Sequence, residues 1–284
     1  MPSVSLLPIL LRELIGKPEF PREPEPDLIM ENEDQVKAYE KAGREDGVMA
    51  ASYLFHAARI SKTIKSAKNV IDLACGPATQ LAYVADLNPA IHSDTMLESA
   101  EKYIQDRNLK NIRFEQGDIS NLVNVKEGGF DGVVSTMALH HLPSLDHLQS
   151  CFREIKRIMR PGGKLYLTDF CRLKSLKSVL YFAYMNREKQ HHLFTLDYER
   201  SLRAAFNKSD FSSLQGNFFP DYQLYTTGFV PLIAIIKSRD EDLDQTASDK
   251  LNKIRTNLPR EYRKVLDDMR LFFRLGGLKN DPFI

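Results

Sequence analysis

The stretch VIDLACGPATQ, at residues 70–80, is the feature that most constrains the fold of this chain. A short apolar run ends in the acid Asp72, a tight turn of small residues follows, and a helical pattern starts directly behind it. Small residues let the backbone of such a turn approach a ligand closely, and the first turn of a helix presents free N–H groups. Asp72 can accept hydrogen bonds from that ligand. The sequence therefore predicts a ligand site where this strand ends.

Strand and helix patterns alternate from this turn to about residue 170. The sequence predicts helices over residues 79–87, 95–108 and 145–159, and strands over residues 111–115, 132–135 and 164–169. Ser144 is a suitable N-cap for the third of these helices, and Pro161-Gly162-Gly163 is a helix-stop signal. This alternation is typical of an α/β fold, a Rossmann-like, mostly parallel sheet covered by helices on both faces.

The flanking segments predict additions to this sheet. Residues 17–27 hold four prolines, which favours an extended arm. Apolar spacing predicts helices within residues 31–65, 172–215 and 260–275, late strands at 223–227 and 231–237, and an exposed linker at 239–250. We therefore expect an N-terminal arm and helical cap (1–64), a Rossmann-like domain (65–238) whose residues 172–215 form a helical substrate cover, and a linker with a C-terminal helical extension (239–284).

Composition narrows the classes of function. With 284 residues, 43% of them hydrophobic, the chain can bury a full core. The 39 basic and 38 acidic side chains leave a net charge of +1, which argues against a nucleic-acid partner. Three scattered cysteines favour a reducing, cytoplasmic location. No apolar run is long enough for a membrane span, no signal peptide is expected, and no metal-ligand spacing is visible.

Four segments, in order along the chain, carry a joint pattern. The turn reads Asp72-Leu-Ala74-Cys-Gly76-Pro-Ala78, and the later segments are IRFEQGDI (112–119), FDGVVSTMALHHLP (130–143) and MRPGGKLYLTD (159–169). Together they resemble the motifs of class I S-adenosylmethionine-dependent methyltransferases of the small-molecule type. In that family the turn reads acid-x-Gly-x-Gly-x-Gly, so this chain carries alanine at two of the three glycine positions. The resemblance covers roughly residues 65–237.

The resemblance implies S-adenosyl-L-methionine as the cofactor and a small molecule as the methyl acceptor. Asp118 would cap the adenine amino group with Ile119 beside the ring, and Tyr53 is either a contact of the cofactor carboxylate or a core tyrosine. The implied cofactor contacts are Tyr53, Asp72, Ala74, Cys75, Gly76, Asp94, Asp118, Ile119 and Thr136. A homo-oligomer is compatible with the sequence, and the acceptor is not specified by it.

The segment LNPAIHSDTMLESA (87–100) departs from the family pattern. One alignment places Ile91 where the family has its ribose-binding acid and leaves the second strand about half a dozen residues short. The other places Asp94 eighteen positions after Gly76, close to the ~20 expected for that acid. Asp94 would support an active enzyme. A true truncation would instead suggest a degenerate relative that binds cofactor poorly and serves as a binding or structural partner.

The acceptor side of the site is predicted from positions at strand ends. Methyl transfer needs an aligned nucleophile and, for many acceptors, a base. His140 and His141 follow the fourth strand and Asp169 ends the fifth, so these three residues are the catalytic candidates. Arg172, which could bind an acidic group or pair with Asp169, His191 and Tyr198 are the candidates for substrate binding.

Overall fold

The structure, a computed structural model, describes residues 6–25, 33–44, 47–76, 78–88, 92–95 and 104–284. The strands are β1 (Asn69–Asp72), β2 (His92–Thr95), β3 (Ile112–Phe114), β4 (Phe130–Thr136), β5 (Met159–Phe170), β6 (Gln223–Thr226) and β7 (Ile233–Lys237). They form one sheet in the order β3-β2-β1-β4-β5-β7-β6, in which β1 to β5 are parallel and β7 is antiparallel to both of its neighbours. The predicted α/β, Rossmann-like class is confirmed.

Helices cover both faces of this sheet. They are α1 (Leu6–Ile15), α2 (Glu33–Gly43), α3 (Ala50–Thr63), α4 (Thr79–Leu87), α5 (Leu145–Ile158), α6 (Leu176–Tyr184), α7 (His192–Ala204), α8 (Lys208–Phe218), α9 (Gln245–Asn257) and α10 (Arg260–Leu275). One face packs on α3, α4 and the C-terminal helices, and the other on α5 and α8. Within the described residues, no helix has the length and apolarity to cross a bilayer.

Successive strand residues supply these two cores in turn, as the pleat of a strand requires. In β1, Val70 belongs to the core under α3 and Ile71 to the core under α5. In β5, Tyr166 belongs to the core under α3 and Leu167 to the core under α5. Because both faces are buried, the middle of the central strands is apolar at consecutive positions, as in Val133-Val134 and Leu165-Tyr166-Leu167.

Helix α5 follows its sequence pattern closely. The hydroxyl of its N-cap Ser144 accepts a hydrogen bond from the His147 N–H, and apolar residues at spacings of three and four point into the core. The helix ends at Ile158, however, and β5 begins at Met159. The expected turn at Pro161-Gly162-Gly163 therefore lies within a strand. Gly162 takes a left-handed φ of 73° there, beside an irregularity in the β4–β5 register.

Two further predictions need correction. The segment 239–250 was expected to be a linker, but α9 begins within it at Gln245, where the Asp244 side chain caps the helix by accepting from the Ala247 N–H. The helix expected over 95–108 cannot begin at Thr95, because this residue pairs with Phe114 as the last residue of β2. Residues 96–103 lie outside the described part of the chain.

The chain has a second strand. His92, Ser93 and Asp94 pair in parallel with Asn69, Val70 and Ile71 of β1, so β2 is as long as β1. Asp94 is the next-to-last residue of β2, near the carboxyl edge of the sheet. Ile91, the other candidate for the position of the acid, lies outside the described residues.

The C-terminal extension packs firmly on the sheet domain. Phe273 of α10 is fully buried and stacks on Phe55 of α3, with ring centroids 5.0 Å apart and planes at 17°. Further along, Arg59 of α3 donates to the main-chain oxygen of Asn280, and Lys62 donates to its side chain. The extension therefore contributes to the same core as α3.

Truncation of Phe273 tests this packing. We expect Phe273→Ala to lower the free energy of unfolding by about 3–5 kcal/mol, because it leaves a cavity in a core that cannot close around it. Leu271→Ala on the exposed side of the same helix is the matched control, with an expected change within ~0.5 kcal/mol. Urea unfolding measures both, and equal losses in the two variants would contradict the assigned packing.

Candidate active site

The site lies at the carboxyl edge of the sheet, where β1 and β4 are neighbours. The chain leaves β1 toward β2 on one side and β4 toward β5 on the other. At such a switch point the loops diverge and leave a crevice, which is where open α/β sheets bind ligands. The loops after β1, β4 and β5 therefore define the candidate site.

The turn after β1 has an unusual backbone. Ala74, Gly76 and Ala78 take left-handed φ angles of 56°, 55° and 58°. This conformation suits glycine, and an alanine in it costs about 1–2 kcal/mol. A methyl group added at Gly76 would meet no atom within 4 Å, so open space borders this residue. The chain thus keeps a backbone shaped for three glycines although two are alanine.

Asp72, at the end of β1, is buried. Its Oδ1 has no hydrogen-bond partner among the described residues, and Asp72 is one of the residues that line a small, mostly apolar cavity of about 10 Å³ between α3, α4 and the sheet. Such a cavity holds about one water molecule. Burial raises the pKa of Asp72 to about 7. The predicted hydrogen bond from Asp72 to a ligand stays a prediction.

His140 and Asp169 form a buried pair at the ends of β4 and β5. The Asp169 carboxylate accepts from His140 Nδ1 at 2.6 Å and from the His140 main-chain N–H at 2.9 Å. Burial by itself lowers the pKa of His140, but the carboxylates of Asp169, Glu25 and Asp197 outweigh it and raise this pKa above its ordinary value. With Nδ1 held by Asp169, Nε2 is the ring nitrogen that remains for chemistry.

The proline-rich arm lies against this pair. Glu25 accepts from His141 Nδ1 at 2.5 Å and from the Ser201 hydroxyl at 2.9 Å. Burial raises the pKa of Glu25, but its hydrogen bond to His141 and the nearby histidine charges lower it overall. The Arg22 guanidinium donates to four main-chain oxygens, those of His140, Leu142, Pro143 and Ala204. The arm thus closes over the loop that carries both histidines.

The three predicted substrate residues have other partners in the structure. Arg172 does not pair with Asp169; it donates to the Phe20 main-chain oxygen, and its guanidinium carbon lies 5.6 Å from the Phe20 ring centroid. His191 caps α7 by accepting from the Leu193 N–H. Tyr198 packs on Phe170, which in turn packs on His140, and burial raises the pKa of Tyr198 to about 12. Through Phe170, Tyr198 is thus connected to His140 by ring contacts.

The remaining predicted cofactor residues lie in several elements. Asp118 is exposed and its carboxylate accepts from the Ser120 N–H and hydroxyl, while Ile119 is buried. Thr136 ends β4, and the Cys75 thiol lies within the turn, 3.5 Å from the Gly76 oxygen. Tyr53, a residue of α3, is buried in the hydrophobic core between α3 and the sheet. Its main-chain oxygen accepts a hydrogen bond from the side-chain amide of Gln80.

Glu25 and Arg22 are the residues that sequence reasoning missed. Glu25 meets His141 across 116 positions of the chain. The proline pattern predicted an extended arm but carried no signal for where the arm docks. Ser201, a polar residue of the predicted cover segment, donates to Glu25.

Comparison with known proteins identifies the family of the chain. The chain belongs to the methyltransferase domain family, whose profile matches residues 64–210, just over half of the chain. Phthiotriol/phenolphthiotriol dimycocerosates methyltransferase 1 of Mycobacterium ulcerans (strain Agy99) is 35% identical over 107 residues, 37% of this chain and 38% of the relative. The chain thus spans about two fifths of the length of the curated relatives it matches.

Solved structures share the fold at low identity. PH0226 from Pyrococcus horikoshii OT3 aligns with a TM-score of 0.53 at 15% identity, over 74% of this chain and 100% of that one. The plantazolicin methyltransferase BpumL, solved in complex with SAH, aligns with a TM-score of 0.51 at 14% identity, over 74% of this chain and 91% of that one. The predictions of fold and family are confirmed.

The left-handed turn gives a stability test. Gly76→Ala is expected to lower the free energy of unfolding by about 1 kcal/mol, because alanine is strained at this φ. Gly216→Ala is the matched control: this exposed residue of α8 has no positive φ and its added methyl meets nothing within 4 Å. There we expect a gain of about 0.5–1 kcal/mol. Denaturant unfolding measures both, and a gain at both positions would contradict the strain at Gly76.

The His140–Asp169 pair gives a titration test. We expect NMR of the ring protons to show His140 titrating above its ordinary pKa of 6.5. In Asp169→Asn the pKa should fall below that value, because burial then acts without the main opposing carboxylate. Asp146→Asn, an exposed change in α5, should leave the His140 titration where it was. A wild-type pKa at or below 6.5 would show that burial dominates.

Proposed function

We propose that the protein is an S-adenosyl-L-methionine-dependent methyltransferase that acts on a small-molecule acceptor. The observation that carries the proposal is the meeting, at the β1–β4 switch point, of the left-handed turn after β1 and the His140–Asp169 pair. Family membership and a fold neighbour solved with SAH support it. The near balance of charge is consistent with a small-molecule substrate.

The turn fits an adenosyl cofactor by shape. Open space borders Gly76, and the N-terminus of α4 follows immediately with Ala78 in the N-cap position. Its N–H groups are suited to the polar end of a ligand. The residues proposed to hold the cofactor are Tyr53, Asp72, Ala74, Cys75, Gly76, Asp94, Asp118, Ile119 and Thr136. When bound, the cofactor supplies an electrophilic methyl group on a sulfonium.

The residues of the chain align the acceptor and accept the proton that it loses. Asp169 fixes the ring of His140 through Nδ1 and the main chain, so Nε2 has a defined direction and can accept a proton from an acceptor. A positioned base of this kind contributes about 10²- to 10⁴-fold to a rate. The arm covers the site through Arg22 and Glu25 and restricts the access of water.

The cover segment is proposed to bind the acceptor. Helices α6 and α7 follow β5 and bring Tyr198 to within ring contact of Phe170, beside His140. We assign residues 65–238 to the methyltransferase domain, with residues 1–64 and 239–284 as flanking elements. Its three free, buried cysteines fit a reducing compartment, and the cytoplasm is the proposed location.

Cofactor binding is the deciding experiment. In a calorimetric titration at 25 °C, we expect S-adenosyl-L-methionine and SAH to bind the wild-type chain at one site. Asp94→Asn should weaken binding about tenfold to hundredfold, because a carboxylate bonded to sugar hydroxyls contributes ~1.5–3 kcal/mol. Asp106→Asn, an exposed acid on the following helical segment, should stay within about twofold of wild type.

Two outcomes would contradict these assignments. No detectable heat with millimolar cofactor would overturn the enzyme proposal and favour a protein that keeps the fold without the cofactor. Wild-type affinity in Asp94→Asn would overturn the role of Asp94 alone. Once binding is measured, release of SAH from a panel of hydroxyl, amine and carbon acceptors identifies the acceptor class.

A further inference from the structure

Three potential metal ligands from two remote segments meet at the mouth of the site. Glu25 of the arm, His140 and His141 each offer one ligand atom that lies within 4.8 Å of the other two. The side chains of Glu25 and His140 are 8% and 3% exposed, whereas that of His141 is 35% exposed. The cluster of Glu25, His140 and His141 is therefore mostly buried and reaches solvent at His141.

Two imidazoles and one carboxylate are a donor set that zinc favours. Catalytic zinc sites use three protein ligands, His₂Glu among them, and keep a fourth position for water or substrate. We infer that Glu25, His140 and His141 form a binding site for a divalent transition-metal ion of the zinc type. The spacing of residues along the chain predicted no metal site, and Glu25 lies 116 positions from His141.

The surroundings of the ligands support this inference. A metal-binding histidine usually donates its other ring N–H to a carboxylate, and ligating carboxylates are themselves hydrogen-bonded. His140 donates from Nδ1 to Asp169 at 2.6 Å, which leaves Nε2 for an ion. The Ser201 hydroxyl donates to Glu25 Oε1 at 2.9 Å, which leaves Oε2 beside His141.

Binding would exchange a proton for the ion. His141 Nδ1 now donates to Glu25 Oε2 at 2.5 Å. An ion inserted between these two atoms displaces that proton to solvent, and both atoms then donate electron pairs to the metal. The ion would also join the arm to the loop after β4, in addition to the hydrogen bonds of Arg22.

The open position gives the ion a role that rests on the proposed function. It lies at the carboxyl edge of the sheet, so an acceptor hydroxyl could occupy it. A bound Zn²⁺ lowers the pKa of such a hydroxyl and so favours the nucleophilic alkoxide or phenolate. In this metal-bound form His140 is a ligand, and activation of the acceptor passes to the ion. The expected acceptors are therefore alcohols or phenols.

Metal binding is tested without cofactor or acceptor. We expect the full chain to bind one equivalent of Zn²⁺ in a ZnCl₂ titration followed by calorimetry, and CoCl₂ to give the strong visible absorption of a four-coordinate site. Glu25→Gln and His141→Ala should each weaken Zn²⁺ binding at least tenfold. Ser201→Ala should weaken it about tenfold, because it removes a hydrogen bond to a ligand.

A second histidine pair supplies the matched control. His191 and His192 are adjacent, exposed, and have ring centroids 4.6 Å apart, so His192→Ala should leave Zn²⁺ affinity within about twofold. Absence of Zn²⁺ binding, equal affinity in Glu25→Gln, or loss of binding in His192→Ala would each overturn the site. Circular dichroism verifies that each variant is folded. Since the readout involves no methyl transfer, its failure is distinct from failure of the proposed function.

Discussion

The buried carboxylate of Asp169 organises the carboxyl edge of the sheet. It accepts from the His140 ring, from the His140 main chain and from the N–H of Phe170. A carboxylate removed from water is costly unless such bonds compensate it, so these donors hold the loop after β4 against the end of β5. The orientation of His140, the position of His141 and the docking of the arm all depend on this connection.

The sequence pattern predicted those elements of the fold that depend on interactions within a few residues of the chain. The apolar period of α5 and its Ser144 cap gave the right helix, because both signals act within a few residues. The prediction of a turn at Pro161-Gly162-Gly163 was wrong, because pairing with β4 extends β5 back to Met159. The strand pattern likewise indicated that His140 and Asp169 lie on the same side of the sheet, and the structure brings the two into hydrogen-bond contact.

Contacts between remote segments lay beyond such reasoning. The sequence predicted that the arm is extended but not where it docks. Docking depends on hydrogen bonds from Arg22 to main-chain oxygens and on the hydrogen bond between Glu25 and His141. Arg172 was expected either to bind an acidic substrate group or to pair with Asp169, and in the structure it donates to the main-chain oxygen of Phe20 in the arm. The conformation of the turn was implied by the family pattern, whereas its retention with Ala74 and Ala78 is a tertiary effect: the surrounding packing outweighs the local strain.

Arg22 holds the arm through main-chain oxygens of four residues. A contact of this kind recognises the path of the backbone and is indifferent to the side chains that the backbone carries. Residues of the loop after β4 and of the end of α7, other than His141 and Ser201, which bond to Glu25 through their side chains, can therefore be exchanged while Arg22 keeps its contacts. Substitution at the other positions of these loops can therefore change the side chains at this edge of the sheet while the main-chain contact of the arm is kept.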